Sequence, residues 1–308
     1  MRKTSLDSIY HLAQIDERVV FLGSDLGVGV LDVMKQEFPD RFYMEGVAEQ
    51  HIIGMAAGLA MEGFLPYVNT IATFLTRRCF EQVVVDLSLH KLPVRLIGNG
   101  GGAVYAPLGP THQAIEDIAI MRVIPNMTIV APCDADEARR LMQKTLDWPN
   151  PIYIRLAKGG DAIVSKPDAG FEIGKGILMR EPGEVLFITT GIMTQRAILA
   201  SQYLADNKIK SGVLHLHTVK PIDKHLLLEL AATVRLVVTV EEHVLAGGLG
   251  SAVLEILNDA AMKQLPRILR FGIPDRFADE YGSQDSLLDS WGLEPESLAN
   301  RVREVLIG

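Results

Sequence analysis

Short apolar runs rich in β-branched residues alternate along this chain with longer segments of helical period. The strand candidates are Val19–Leu22, Val94–Ile97, Thr128–Ala131, Ile152–Leu156, Val185–Thr189, Gly212–Leu216, Leu236–Val240 and Ile268–Phe271. Several are apolar on both faces, the pattern of strands buried in a parallel sheet. Between them lie helical stretches at Ser5–Glu17, Ala48–Glu62, Phe74–Leu89, Ala135–Leu146, Thr194–Asp206 and Leu249–Met262. Strand, helix, strand in repeated order predicts an α/β fold of mainly parallel sheets flanked by helices. The alternation breaks at residues 158–184, a stretch rich in Gly, Pro and charge. Two domains are therefore expected, residues 1–165 and 184–308, joined by a linker at 166–183.

Composition narrows the function. Of 308 residues, 48% are hydrophobic and 22% charged, as in a globular chain with a core of its own. The net charge of −8 gives nucleic acid little to bind. The N-terminal segment has no signal-peptide apolar stretch, and no run approaches the roughly 18 apolar residues that span a bilayer. The two cysteines, Cys79 and Cys133, are far apart, which argues against a disulfide framework or zinc site and leads us to expect a cytoplasmic location.

Four segments carry candidate chemistry. In GVAEQHIIGMAAGLAMEG, residues 46–63, small residues allow close helix packing and Glu49 stands near the helix start. Glu49 alone reads first as an acid that complements the helix dipole. In LGPTHQAIED a Gly-Pro turn delivers His112, either a structural group or a proton donor and acceptor near neutral pH. In NTIATFLTRRCFEQVVV, residues 69–85, Phe80 and the valines read as core, whereas Arg77 and Arg78 need an anion or a stacking partner. In EEHVLAGGLGS the glycines before a helix suggest close packing, with a phosphate cradle as the alternative; no P-loop Lys-Ser/Thr follows.

Taken together, GVAEQH, TFLTR, GPTHQAIED and the strand PIYIRLAKG, in that order, resemble the transketolase and deoxyxylulose-phosphate synthase superfamily of thiamine enzymes. The segments VLFITTG, LHLHTVKPID and EEHVLAGGLGS are similar to that family's C-terminal domain, so the resemblance spans nearly the whole chain. It is closest in kind to the C-terminal subunit of transketolases divided over two polypeptides. The resemblance implies thiamine diphosphate as cofactor and transfer of a two-carbon ketol unit from a ketose to an aldose acceptor. It implies that Glu49 shares a proton with N1′ of the aminopyrimidine, so that the cofactor acts as its own base. Phe74 matches the aromatic that stacks on that ring; Asp25, Leu26, Ile71 and Arg77 match further pyrimidine-side contacts. His112 matches the active-site histidine, and Arg155, with Arg2 as a weaker counterpart, is left as an anchor for an anionic substrate group.

The departures bear on substrate. Leucine stands at Leu108 where many transketolases carry a hydroxyl-reading aspartate, Gly100 stands about where a donor-binding histidine falls, and glycine replaces a phosphate-binding serine near Gly29. Ordinary ketose-phosphate chemistry is thereby in question. The family's GDG…N motif, which holds the diphosphate through Mg2+, has no counterpart here; the pair Gly160–Asp161 is followed by Ala162. No metal ligand is therefore expected on this chain. The Mg2+ ligands are expected on an N-terminal partner subunit, with a second copy of this chain completing the assembly. The alternatives are a decarboxylating synthase resembling deoxyxylulose-phosphate synthase and the β subunit of a 2-oxoacid dehydrogenase.

Overall fold

The computed structural model describes residues 1–25, 29–262 and 264–307. All eight expected strands form, and they assort into two sheets. The first half runs α1 (Arg2–Ile15), β1 (Val19–Gly23), α2 (Asp32–Glu37), β2 (Phe42–Met44), α3 (Glu49–Met61), β3 (Leu65–Ile71), α4 (Phe80–Gln82), β4 (Arg95–Asn99), α5 (Asp117–Arg122), β5 (Thr128–Val130), α6 (Ala135–Lys144) and β6 (Ile152–Leu156). The second runs β7 (Ile177–Arg180), β8 (Val185–Thr189), α7 (Met193–Asp206), β9 (Ser211–His215), β10 (Thr218–Lys220), α8 (Lys224–Ala231), β11 (Leu236–Val244), α9 (Leu249–Asp259), β12 (Arg267–Ile273), α10 (Gln284–Ser290) and α11 (Pro295–Ile307).

The first sheet has seven strands in the order β10-β5-β6-β4-β3-β1-β2, and the second has five in the order β12-β11-β8-β9-β7. Pairing is parallel except at one edge of each sheet, β10 on β5 and β7 on β9. Uninterrupted burial of β1, β3, β4 and β6 follows from helices on both faces. Leu6, Ile9 and Leu12 of α1, with Ala138, Leu141 and Met142 of α6, cover one face. Ile52, Ile53, Ala56 and Ala60 of α3 cover the other with Leu75, Val83 and Leu87. The second sheet is sandwiched in the same way, α7 and α11 on one side and α8 and α9 on the other.

The structure departs from the sequence pattern in several places. The expected helix over Phe74–Leu89 is two π-helical turns, Phe74–Arg78 and Val83–Ser88, around the three-residue α4. Such wider turns re-aim side chains and are frequent at functional sites. Strand β3 was unexpected because Pro66 lies in it and proline cannot donate to a ladder. Pairing with β4 begins only at Tyr67, so Pro66 sits where β1 alone is beside the strand. The stretch expected to link the halves contributes β7 as an edge strand. Strand β10 belongs by sequence to the second half and pairs with the first sheet, which ties the halves together. No helix among the described residues is long and apolar enough to cross a membrane.

Candidate active site

Parallel α/β sheets gather ligands beyond the carboxyl ends of their strands. The candidate residues of the first half follow such ends: Asp25 after β1, Glu49 after β2, Ile71 and Phe74 at and after β3, His112 in the loop beyond β4. Glu49 opens α3 and is only 2% exposed. An acid at that place complements the helix dipole, as the sequence alone allowed. Burial asks for a stronger partner, and Arg78 provides it: its Nη1 lies 2.6 Å from Glu49 Oε2. The same guanidinium lies over the Phe74 ring, with Cζ 4.1 Å from the centroid. Phe74 also meets His112 in a T-shaped contact, ring centroids 5.2 Å apart at 68°. Glu49, Arg78, Phe74 and His112 thus form one contiguous chain.

Neighbouring bonds set this geometry. Arg77 Nε pairs with Glu116 Oε1 at 2.9 Å, and its Nη2 donates to the Gln113 carbonyl at 3.0 Å. Thr73 Oγ1 donates to the His112 carbonyl at 3.1 Å. Together they pin the GPTHQ loop to the turn that carries Phe74. Thr111 Oγ1 lies 2.9 Å from His112 Nδ1 and steadies the ring. Burial pushes the Glu116 carboxyl up, and the Arg77 charge draws it back. Beneath the group, burial and the Glu49 charge push the Cys79 thiol up to about 12, which makes it a packing residue and not a nucleophile. A cleft of about 430 Å³ opens beside Glu49, lined by Val47, Ala48, Gln50, His51 and Arg78.

Other expected residues are placed differently. Ile71 is buried at the end of β3. Asp25 is exposed and accepts from Ser24 Oγ at 2.9 Å. Leu26 lies outside the described residues. Leu108 ends a short turn with half its surface exposed. Arg155, expected as a substrate anchor, has partners inside the protein. It is 6% exposed, its Nε bonds the buried Asp117 at 2.8 Å, and its Nη2 donates to the carbonyls of Ala114 and Glu242. Those contacts clamp the two halves.

The charged residues that sequence reasoning missed do the same. Glu242, buried on β11, accepts from Ala103 N at 2.9 Å and Gln284 Nε2 at 2.7 Å. Gly102 has φ +72° and lies so close that a Cβ there would fall 2.2 Å from Glu242 Cδ. His215 Nε2 reaches across to Glu137 Oε2 at 2.9 Å. Two adjacent acids inside an otherwise apolar strand, LVVTVEEHV, were the available signal, because buried acids need partners. The glycine-rich start of α9 also resolves: Glu241 accepts from Leu249 N and Gly250 N at 2.7 and 2.9 Å. The protein's own carboxylate fills the cradle that a phosphate would need.

Comparison with known proteins identifies the family. Residues 1–160 match the transketolase pyrimidine-binding domain and residues 174–298 match the transketolase C-terminal domain. The chain belongs to the transketolase family. It is 39% identical over 299 residues to a putative uncharacterized transketolase family protein of Sinorhizobium fredii, covering 96% of this chain and 86% of that one. It is 38% identical to a 1-deoxy-D-xylulose-5-phosphate synthase of Caldanaerobacter subterraneus, again over 96% of this chain but only 47% of the relative, so it spans about half the length of such synthases. Among solved structures it superposes on a split gene transketolase, described as an inactive beta4 tetramer, with TM-score 0.90 and 35% identity over 99% of this chain and 98% of that one.

Membership in the transketolase family brings thiamine-diphosphate dependence, and the residues present fit the aminopyrimidine part of that cofactor. A flat aromatic face and a buried carboxylate already receive one planar, cationic hydrogen-bond donor, the Arg78 guanidinium. For magnesium, the described residues contain one cluster of three candidate ligands, Cys133, Glu137 and His215. It is buried, and Glu137 Oε2 already accepts from Cys133 N and His215 Nε2.

Proposed function

We propose that this chain is the C-terminal subunit of a two-polypeptide, thiamine-diphosphate-dependent transketolase-like enzyme that moves a two-carbon ketol unit from a ketose to an aldose acceptor. The observation that carries this is the meeting of Glu49, Phe74 and His112 at the carboxyl edge of the first sheet. When bound, the cofactor supplies the nucleophilic carbon and the electron sink. The chain supplies orientation and protons. Glu49 holds a proton at N1′ of the aminopyrimidine. Phe74 presents its face to that ring, and Ile71 lies at the end of the neighbouring strand. Arg77 fixes the loop, and His112, in contact with Phe74, donates or accepts a proton at the substrate oxygen. Asp25, after β1, completes the pyrimidine side.

The remaining half of the site belongs, in this proposal, to an N-terminal partner carrying the GDG…N motif and the Mg2+ ligands. The length of the Caldanaerobacter relative supports a missing half, and the split transketolase supports its placement on a separate chain. Two copies of each chain would form the working assembly, in the cytoplasm. The likeness to the synthase keeps a second reading open: decarboxylation of a 2-oxoacid donor, which releases CO2 where ketol transfer does not.

Glu49→Gln tests the proposal. Glutamine is nearly isosteric, so assembly should persist, while hydrogen–deuterium exchange at the cofactor C2 should slow roughly a thousandfold, at 1.36 kcal/mol per factor of ten. A residue that serves only the helix dipole would change stability by under about 1 kcal/mol and leave exchange unaltered. Equal exchange rates would remove Glu49 from the chemistry.

A further inference from the structure

The contact between Arg78 and its two partners has a meaning of its own, resting on the reading of Glu49 and Phe74 just given. A guanidinium is flat, delocalised and edged with N–H donors. An aminopyrimidine ring bound in this family's manner places its face on an aromatic side chain and its edge against a carboxylate. Arg78 does both at once, with Cζ 4.1 Å above the Phe74 centroid and Nη1 2.6 Å from Glu49 Oε2. With Arg78 Cζ 4.1 Å from the Phe74 centroid, no ring fits between them. Arg77 is not available for this role, since Glu116 and the Gln113 carbonyl hold it.

We propose that Arg78 holds the pyrimidine position in the unliganded chain: its guanidinium makes, on Phe74 and Glu49, both contacts the ring takes, and the ring enters only as Arg78 leaves. The arrangement gives the buried Glu49 carboxylate a charged partner, which spares an isolated chain the cost of an unpaired buried charge. The Arg78 side chain is 41% exposed and lines the open cleft, so it has solvent to swing into. Because ring and guanidinium compete, the apparent affinity for the ring is lowered by the fraction of chains whose position is free.

The test uses the full chain and a probe that needs neither partner nor magnesium: 4-amino-5-hydroxymethyl-2-methylpyrimidine, titrated by ligand-observed NMR. Arg78→Ala should bind the probe at least about tenfold more tightly than the wild type, since the competing occupant is gone. Arg78→Lys should fall between them, because an ammonium keeps the pair with Glu49 and lacks the flat face. Adding Glu49→Gln to Arg78→Ala should abolish the gain. Arg78 is on the surface, and circular dichroism confirms that the variants are folded; should the alanine variant not fold, the lysine variant carries the comparison. Equal or weaker binding by the folded Arg78 variants overturns the proposal, as does absence of binding to all of them. Such a result, with C2 exchange still dependent on Glu49, would leave the catalytic reading standing; exchange indifferent to Glu49 would sink that reading instead.

Discussion

Arg77 and Arg78 are adjacent in sequence and part company in space, one toward Glu116 and the other toward Glu49. Their need for anions was legible in the sequence; the identity of the anions was not, because each arrives from a different loop. His112 carries a prediction at this scale. Replacing it with alanine should lower kcat by about 10²–10⁴-fold, the usual range for a positioned proton-transfer group, with thiamine diphosphate affinity nearly unchanged. Steady-state kinetics beside calorimetry on the assembled enzyme separates the two. Arg155 makes the opposite case. The family resemblance leaves it as a substrate anchor, whereas its partners Asp117 and the Glu242 carbonyl lie far away in sequence. Arg155→Met should strand the buried Asp117 and cost about 3–5 kcal/mol, read from urea unfolding. A variant as stable as the wild type would return Arg155 to the list of available anchors.

At the scale of elements, the strands apolar on both faces were readable because burial on both faces leaves a distinct pattern. Strands β2, β7 and β10, three or four residues each, carry too few positions for any period to register, and β3 was hidden by Pro66. Helices α10 and α11 bury only short apolar faces, Leu287 and Leu288 in one and Leu298, Ala299 and Val302 in the other. The join between the halves was least legible, since beside the short β10 it rests on charged groups paired across more than seventy positions. It should respond to acid. Burial pushes the Glu137 carboxyl up, but the charge and hydrogen bond of His215 more than offset this and hold it at about 2, below the ordinary 4.5. A carboxylate with a lowered native pKa binds fewer protons folded than unfolded, so its contribution is full above pH 4.5 and fades as pH falls toward 2. Unfolding midpoints of the wild type and Glu137→Gln should therefore converge as pH drops through that window. A gap that stays constant over the same range would show that the pair does not titrate in this way.

Across the whole molecule, the proposed pyrimidine side lies within the first α/β unit, with the Glu49 cleft left open. Val47, which lines that cleft, is 69% exposed. The division of labour between two chains is the central claim, and calorimetry with thiamine diphosphate and Mg2+ tests it most directly. Titrated into this chain alone, the pair should give weak or undetectable binding that does not depend on the metal. Titrated into this chain assembled with a partner that carries GDG…N, it should give tight, magnesium-dependent binding of one cofactor per copy of this chain. Tight, magnesium-dependent binding to this chain alone would contradict the account.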